Sequence, residues 1–120
     1  MLIQAQNKKN GMKSPYYIAL TTCPDNTVAN NLAQQIVKQQ LAACVNIIPN
    51  IQSVYQWQGK IETDSELLLV MKTQQQTLKR LELFILQHHP YETPEFICIN
   101  IESGTQAYLD WITSSLKNNP

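Results

Sequence analysis

Residues 16–22, YYIALTT, form a β-rich apolar run and read as a central strand. Cys23-Pro24-Asp25 closes it. Proline cannot donate to a sheet ladder, and Asp25 can accept the orphan amides of a following helix. Helical spacing then takes over across residues 26–41. Val28, Leu32 and Ile36 recur every fourth position, with Ala29, Ala33 and Val37 beside them. Asn30, Asn31, Gln34, Gln35 and Lys38 fill the opposite side, as expected of an amphipathic helix. Residues 43–48 return to strand composition, and Pro49-Asn50 interrupts them as a bulge or bend.

Strict alternation follows. Ile51, Ser53, Tyr55 and Trp57 share one face of residues 51–58, and Gln52, Val54, Gln56 and Gln58 the other. Gly59-Lys60 predicts the turn, and the return strand spans residues 61–73. Its first half carries Glu62, Asp64 and Glu66 on one side, whereas LLLVM in its second half is apolar on both. Such a strand is buried at one end and reaches solvent at the other. Residues 74–88 form a second helix through Leu78, Leu81, Ile85 and His88, with Phe84 adjacent, and Pro90 stops it. Residues 95–101 are a further strand. Ser103 and Gln106 match a capping box for a last helix over residues 105–116.

The order β-α-β-β-α-β-α, without its final helix, is the split βαββαβ arrangement of ferredoxin-like α+β folds. Two helices cover one face of the four-stranded antiparallel sheet and leave the other open. The last helix covers part of that face, and a partner subunit is expected over the rest. Residues 1–13 show no sustained period and read as a flexible arm, with Met12 a candidate alternative start. Residues 14–117 form the single domain and 118–120 a short tail.

Composition narrows the function. Nine basic and nine acidic residues give zero formal net charge, and only 15% of residues are charged, against about 25% typically. Glutamine (14) and asparagine (10) supply the polar surface instead. A general nucleic-acid binder needs a concentrated basic face, which is missing. Three widely spaced cysteines, Cys23, Cys44 and Cys98, make no CxxC pair or disulfide framework and suit a reducing cytoplasm. Each falls in a run that reads as a buried strand or its end. No apolar run is long enough for membrane insertion. Neither a nucleophile elbow nor a glycine-rich phosphate loop is present, with glycines only at positions 11, 59 and 104.

Cys23, His88 and His89 are candidate ligands for copper or zinc, because thiolate and imidazole suit those ions. The alternative is structural: a buried Cys23, His88 packed on the core, and His89 at the helix terminus. Glu62, Asp64 and Glu66 read either as a hard-cation patch or as a solvated edge that blocks stray pairing. Lys72 either reaches a carboxylate or ligand, or snorkels to solvent. Tyr55, Trp57, Tyr91, Tyr108 and Trp111 suit a pocket or an aromatic interface.

TTCPD at residues 21–25, LAACVNIIPNIQSVYQWQGKI at 41–61, HHPYETPE at 88–95 and YLDWI at 108–112 together resemble the CutA family of divalent-cation tolerance proteins. The resemblance spans residues 16–117. It implies a ferredoxin-like protomer in a compact homotrimer, whose hairpins carry each sheet across the subunit boundary. It also implies a cytoplasmic protein linked to copper tolerance, with Cu(II) or another divalent cation as ligand and no obligatory cofactor. Cys23, His88 and His89 match positions proposed for copper in some bacterial members. Glu66, Lys72, Tyr91 and Glu95 match polar positions near the intersubunit clefts, and Tyr55 and Trp57 fall at the expected interface. Two alternatives stand beside metal tolerance. One is a ligand-sensing module like the trimeric PII proteins, by analogy of fold. The other, ranked last, is an enzyme using the polar cleft for acid–base chemistry.

Overall fold

In the computed structural model, residues 12–116 are described; the expected arm lies outside them except for Met12 and Lys13, as does the tail. Strand β1 (Tyr16–Cys23) leads into helix α1 (Asn26–Lys38). Strands β2 (Cys44–Trp57) and β3 (Lys60–Gln74) form a long hairpin. A 3-10 turn (Gln75–Thr77), helix α2 (Leu78–His88), strand β4 (Ile97–Asn100) and helix α3 (Gln106–Leu116) complete the chain. The sheet order is β2-β3-β1-β4, with every neighbouring pair antiparallel. This is a ferredoxin-like fold with an added C-terminal helix.

Local chemistry sets the boundaries. Asp25 has extended backbone, and its carboxylate accepts from the Val28 amide at 2.9 Å, capping α1. That helix ends three residues earlier than periodicity predicts. Gln40 adopts φ 57°, the Leu41 amide donates to the Ile36 carbonyl, and the Gln40 amide donates to that of Val37. This Schellman closure reverses the chain before Leu41 can join the helix. The hairpin turn also moves by one position: Gln58 and Gly59, at φ 51° and 80°, form it, and Lys60 pairs with Trp57. Positive φ at both central residues matches the twist of the flanking strands. The bulge falls where Pro49-Asn50 predicts it, with register shifting between Ile48 and Ile51. Gln106 donates to Asp110 along its own helix.

The core lies between the sheet and helices α1 and α2. Ala19 and Cys23 of β1, Leu67, Leu69 and Met71 of β3, Ile36 of α1, and Leu81 and Ile85 of α2 are buried there. Each fully buried leucine or isoleucine contributes roughly 1.5–3 kcal/mol. On the opposite face, α3 covers one end, packing Ile112 and Leu116 on Ala43 and Tyr16. Gln74 donates to the Thr113 hydroxyl at 3.0 Å and anchors the helix there. Ile48, Ile97 and Ile99 remain 43–49% exposed on this face.

β1 pairs with β3 only from Leu67 to Gln74. Among the described residues, 60–66 therefore have β2 alone as a sheet neighbour and project from the body. The molecule measures 50 × 31 × 22 Å with a radius of gyration of 16.2 Å, against about 14 Å for a compact chain of this length. Among the described residues no helix is long and apolar enough to cross a membrane.

Candidate functional site

Three segments meet at the end of β1. Cys23 pairs with Leu67, so Glu66 is the first β3 residue beyond the edge of β1. Asp25 opens α1 beside it, and the turn after α2 brings His89 and Tyr91 to the same place. The Tyr91 hydroxyl donates to Glu66 Oε2 at 2.6 Å. Glu66 is 9% exposed, so its carboxylate is largely withdrawn from water. A cleft of about 190 Å³ lies alongside, lined by Asp25, Asn26, Asn50, Ser65 and Glu66 among others.

The electrostatics of this group are anionic. Burial first, then the neighbouring carboxylates of Glu66 and Asp25, push the Cys23 thiol up to about 11. Tyr91 is raised well above the usual phenol range by burial, by its bond to Glu66 and by nearby negative charge. At neutral pH both are protonated. Since a thiolate is the metal-binding form, any ion bound at Cys23 must displace a tightly held proton.

The two histidines exchange their expected structural roles. His88 is exposed, stacks on Phe84 with ring centroids 4.2 Å apart, and bonds through Nδ1 to the Phe84 carbonyl at 2.9 Å. A carbonyl only accepts, so Nδ1 carries the proton and Nε2 the lone pair. His89 is the buried one. Its Nδ1 accepts from the Tyr91 amide at 3.1 Å, and its Nε2 donates to the Thr22 carbonyl at 2.7 Å. Both ring nitrogens of His89 are thus committed. Among the described residues no three Cys, His, Asp or Glu side chains form a metal-holding group. As folded, Cys23, His88 and His89 do not make a coordination set.

Glu66 and Tyr91 come together, but the other two polar positions lie apart from them in a single chain. Lys72 is six residues from Glu66 on the same strand, about 20 Å at 3.3 Å per residue. It donates to Asn46 on β2 and sits opposite Ile18 and Cys44. Glu95 is exposed in the loop before β4. Tyr55 and Trp57 lie on the projecting hairpin, Trp57 61% exposed and Tyr55 donating to Asp64. That bond, ahead of burial and nearby carboxylates, pushes the Tyr55 phenol up to about 12. The cysteines do not share one environment: Cys23 is buried, Cys44 half-buried and Cys98 exposed on the edge strand. From the sequence Asp25 is legible only as a helix cap. Its place in the cleft had no local signal, because it depends on β3 passing alongside.

A ferredoxin-like domain with an overlong β2–β3 hairpin, a half-covered sheet and a polar cleft at the hairpin base defines the class. The chain belongs to the CutA1 divalent ion tolerance protein family, whose family model matches residues 17–115. It is 45% identical to Protein CutA of Mus musculus over 104 residues, covering 84% of this chain and 59% of the mouse protein. It is 40% identical to the divalent-cation tolerance protein CutA of Yersinia pestis (strain Pestoides F), covering 82% of this chain and 83% of that one. The chain therefore spans little more than half the length of the mouse relative but most of the bacterial one. Among solved structures, CutA from Xylella fastidiosa superposes with TM-score 0.84 at 37% identity, covering 86% of this chain and 99% of that chain. CutA1 from Oryza sativa gives 0.83 at 40% identity, covering 86% and 94%.

Proposed function

We propose that this protein serves divalent-cation tolerance as a homotrimer in a reducing cytoplasm, engaging the cation directly through Cys23, His88 and His89. The family match over residues 17–115 carries the tolerance reading. Direct binding is supported by the chemistry of the three side chains, which favours copper over magnesium. Because two of the three are closed as folded, binding requires local rearrangement and is weak in the resting state.

Trimerisation is supported by the half-covered sheet and by the projecting hairpin, whose Val54, Trp57 and Ile61 are 61–71% exposed. A closed ring of copies would cover both. It would also allow Lys72 and Glu95 of one copy to approach Glu66 and Tyr91 of another.

Two measurements test the reading. Light scattering at micromolar concentration should report about 41 kDa, three times 13.7 kDa; a stable mass near 14 kDa would end the trimer. Anaerobic titration should show weaker copper binding after joint replacement of His88 and His89 by alanine. Unchanged affinity would remove the histidines from the site.

A further inference from the structure

The cleft at the hairpin base is opened by two interruptions of the sheet. Ile48 pairs with Leu68 and Ile51 with Glu66, so Pro49 and Asn50 together face the single Leu67. Such a bulge disrupts the ladder and bends its strand. On the other flank β1 stops at Cys23, opposite Leu67, and the chain turns through Pro24 and Asp25 into α1. The cleft of about 190 Å³ lies between, with residues 65–67 lining it from β3.

Among the described residues its walls carry acceptors and hydrocarbon but no cationic side chain. Glu66 is 9% exposed, yet only its Oε2 is engaged, by the Tyr91 hydroxyl. A carboxylate has about four acceptor positions, and burying it short of partners is costly. Oε1 accepts no hydrogen bond among the described residues, and it is not sealed inside the protein as Thr21 Oγ1 is. Its remaining exposure is to the cleft that Glu66 lines. Asp25 Oδ1 accepts from the Val28 amide, which leaves Oδ2 as a second acceptor. The Cys23 thiol, raised first by burial and then by these two carboxylates, registers their negative field. Pro24, Pro49 and Leu67 supply apolar wall.

This combination selects among cations. Calcium and magnesium take about six or more oxygens each, whereas no three His, Cys, Asp or Glu side chains gather among the described residues. A primary ammonium needs only three acceptors, one for each N–H. Its alkyl chain gains by leaving water for proline and leucine. The cleft has room for about six waters and falls below the roughly 300–1,000 Å³ of drug-sized sites, so the ligand is small. We infer that the cleft binds a small primary alkylammonium ion, its head held by Glu66 and Asp25 and its chain lying on Pro24, Pro49 and Leu67. This site is separate from Cys23, His88 and His89, and its ligand is not a metal.

The test titrates the full chain with propylammonium chloride at pH 7 and constant ionic strength. Propanol, which lacks the charge, and tetramethylammonium, which lacks the N–H donors, are the controls. Amide NMR shifts of Asn26, Asn50, Ser65 and Glu66 report binding. The expected result is saturable millimolar binding of propylammonium at these amides, with neither control saturating in that range. Glu66→Gln keeps the shape and removes the charge, and should weaken binding about tenfold, as for one hydrogen bond to a charged group. Glu92→Gln removes the same charge from an exposed position outside the cleft and should leave affinity unchanged. No saturable binding, saturation by either control, or equal losses in the two variants overturns the site. Binding that appears only in Lys72→Met overturns it as well, because Lys72 of another copy would then be the occupant. Should Glu66→Gln fail to fold, Asp25→Asn gives the same comparison, since asparagine caps a helix as well as aspartate; an affinity equal to wild type there overturns the site too.

Discussion

The Tyr91 hydroxyl donates to Glu66 Oε2 at 2.6 Å, across 25 residues of sequence. The same carboxylate adds to burial in opposing ionisation of Cys23. Two weak acids of the site are therefore held protonated by one arrangement of loop, strand end and hairpin.

That arrangement predicts alkaline sensitivity. The Cys23 thiol is raised from 9.0 to about 11 in the folded protein. Between those values the native state binds more protons than the unfolded chain, so stability falls as pH rises. The contribution is complete below pH 9 and lost by about pH 11; Tyr91 acts in the same direction, from pH 10.0 upward. Urea midpoints measured from pH 7 to 11 should decline above pH 9, and Cys23→Ser should decline less steeply. Parallel curves for the two proteins would contradict this.

Thr21 is wholly buried on β1, and its hydroxyl has no hydrogen-bond partner among the described residues. Replacing an orphan hydroxyl by a methyl of similar shape removes a desolvation cost of about 1 kcal/mol. Thr21→Val is expected to raise the melting temperature by several degrees. A lowered melting point would show that the hydroxyl is satisfied in solution.

The hairpin turn offers a second stabilising change. Gln58 holds a left-handed backbone that asparagine and glycine adopt more readily. Gln58→Asn should gain about 0.5 kcal/mol, part of the 1–2 kcal/mol that this conformation costs an ordinary residue. Gly59→Ala should lose about 1 kcal/mol through backbone strain alone, because a Cβ there meets no atom within 4 Å. Equilibrium unfolding of both variants decides; equal effects at the two positions would sink the turn assignment.

Trp57 tests assembly. Its ring is 61% exposed on a single chain, so an aspartate there costs the isolated protomer little. At a subunit boundary the same charge would be desolvated. If the proposed trimer forms, Trp57→Asp should shift the mass from about 41 toward 13.7 kDa on dilution while leaving the circular dichroism of the single chain intact. An undiminished trimer of unchanged stability would place Trp57 outside the interface.

Strand and helix order, the bulge at Pro49-Asn50, the Asp25 cap and the half-covered sheet were all legible in the sequence. Each is written within a few positions, as a period, a cap or a breaker, and local backbone physics reads it directly. The errors at element ends are also local in origin. Gln40 and Gln58 occupy left-handed positions usually marked by glycine or asparagine, so the first reversal carries no ordinary signal and the second only that of Gly59, which places the turn one residue late.

The candidate site was legible as residue types and not as an arrangement. Two adjacent histidines before a proline are equivalent on paper. The end of α2 turns His88 onto Phe84 and His89 into the sheet end, where Thr22 waits 67 residues away in sequence. Glu66 and Lys72 share a strand and alternate in phase, yet one meets the loop of Tyr91 and the other Asn46. Which backbone segments exist and which face each buries is readable along the chain, because those depend on neighbours three or four residues away. Which polar groups meet, which imidazole nitrogens are engaged and how strongly burial raises the Cys23 thiol emerge only on folding, because hydrogen bonding and desolvation act between segments distant in sequence.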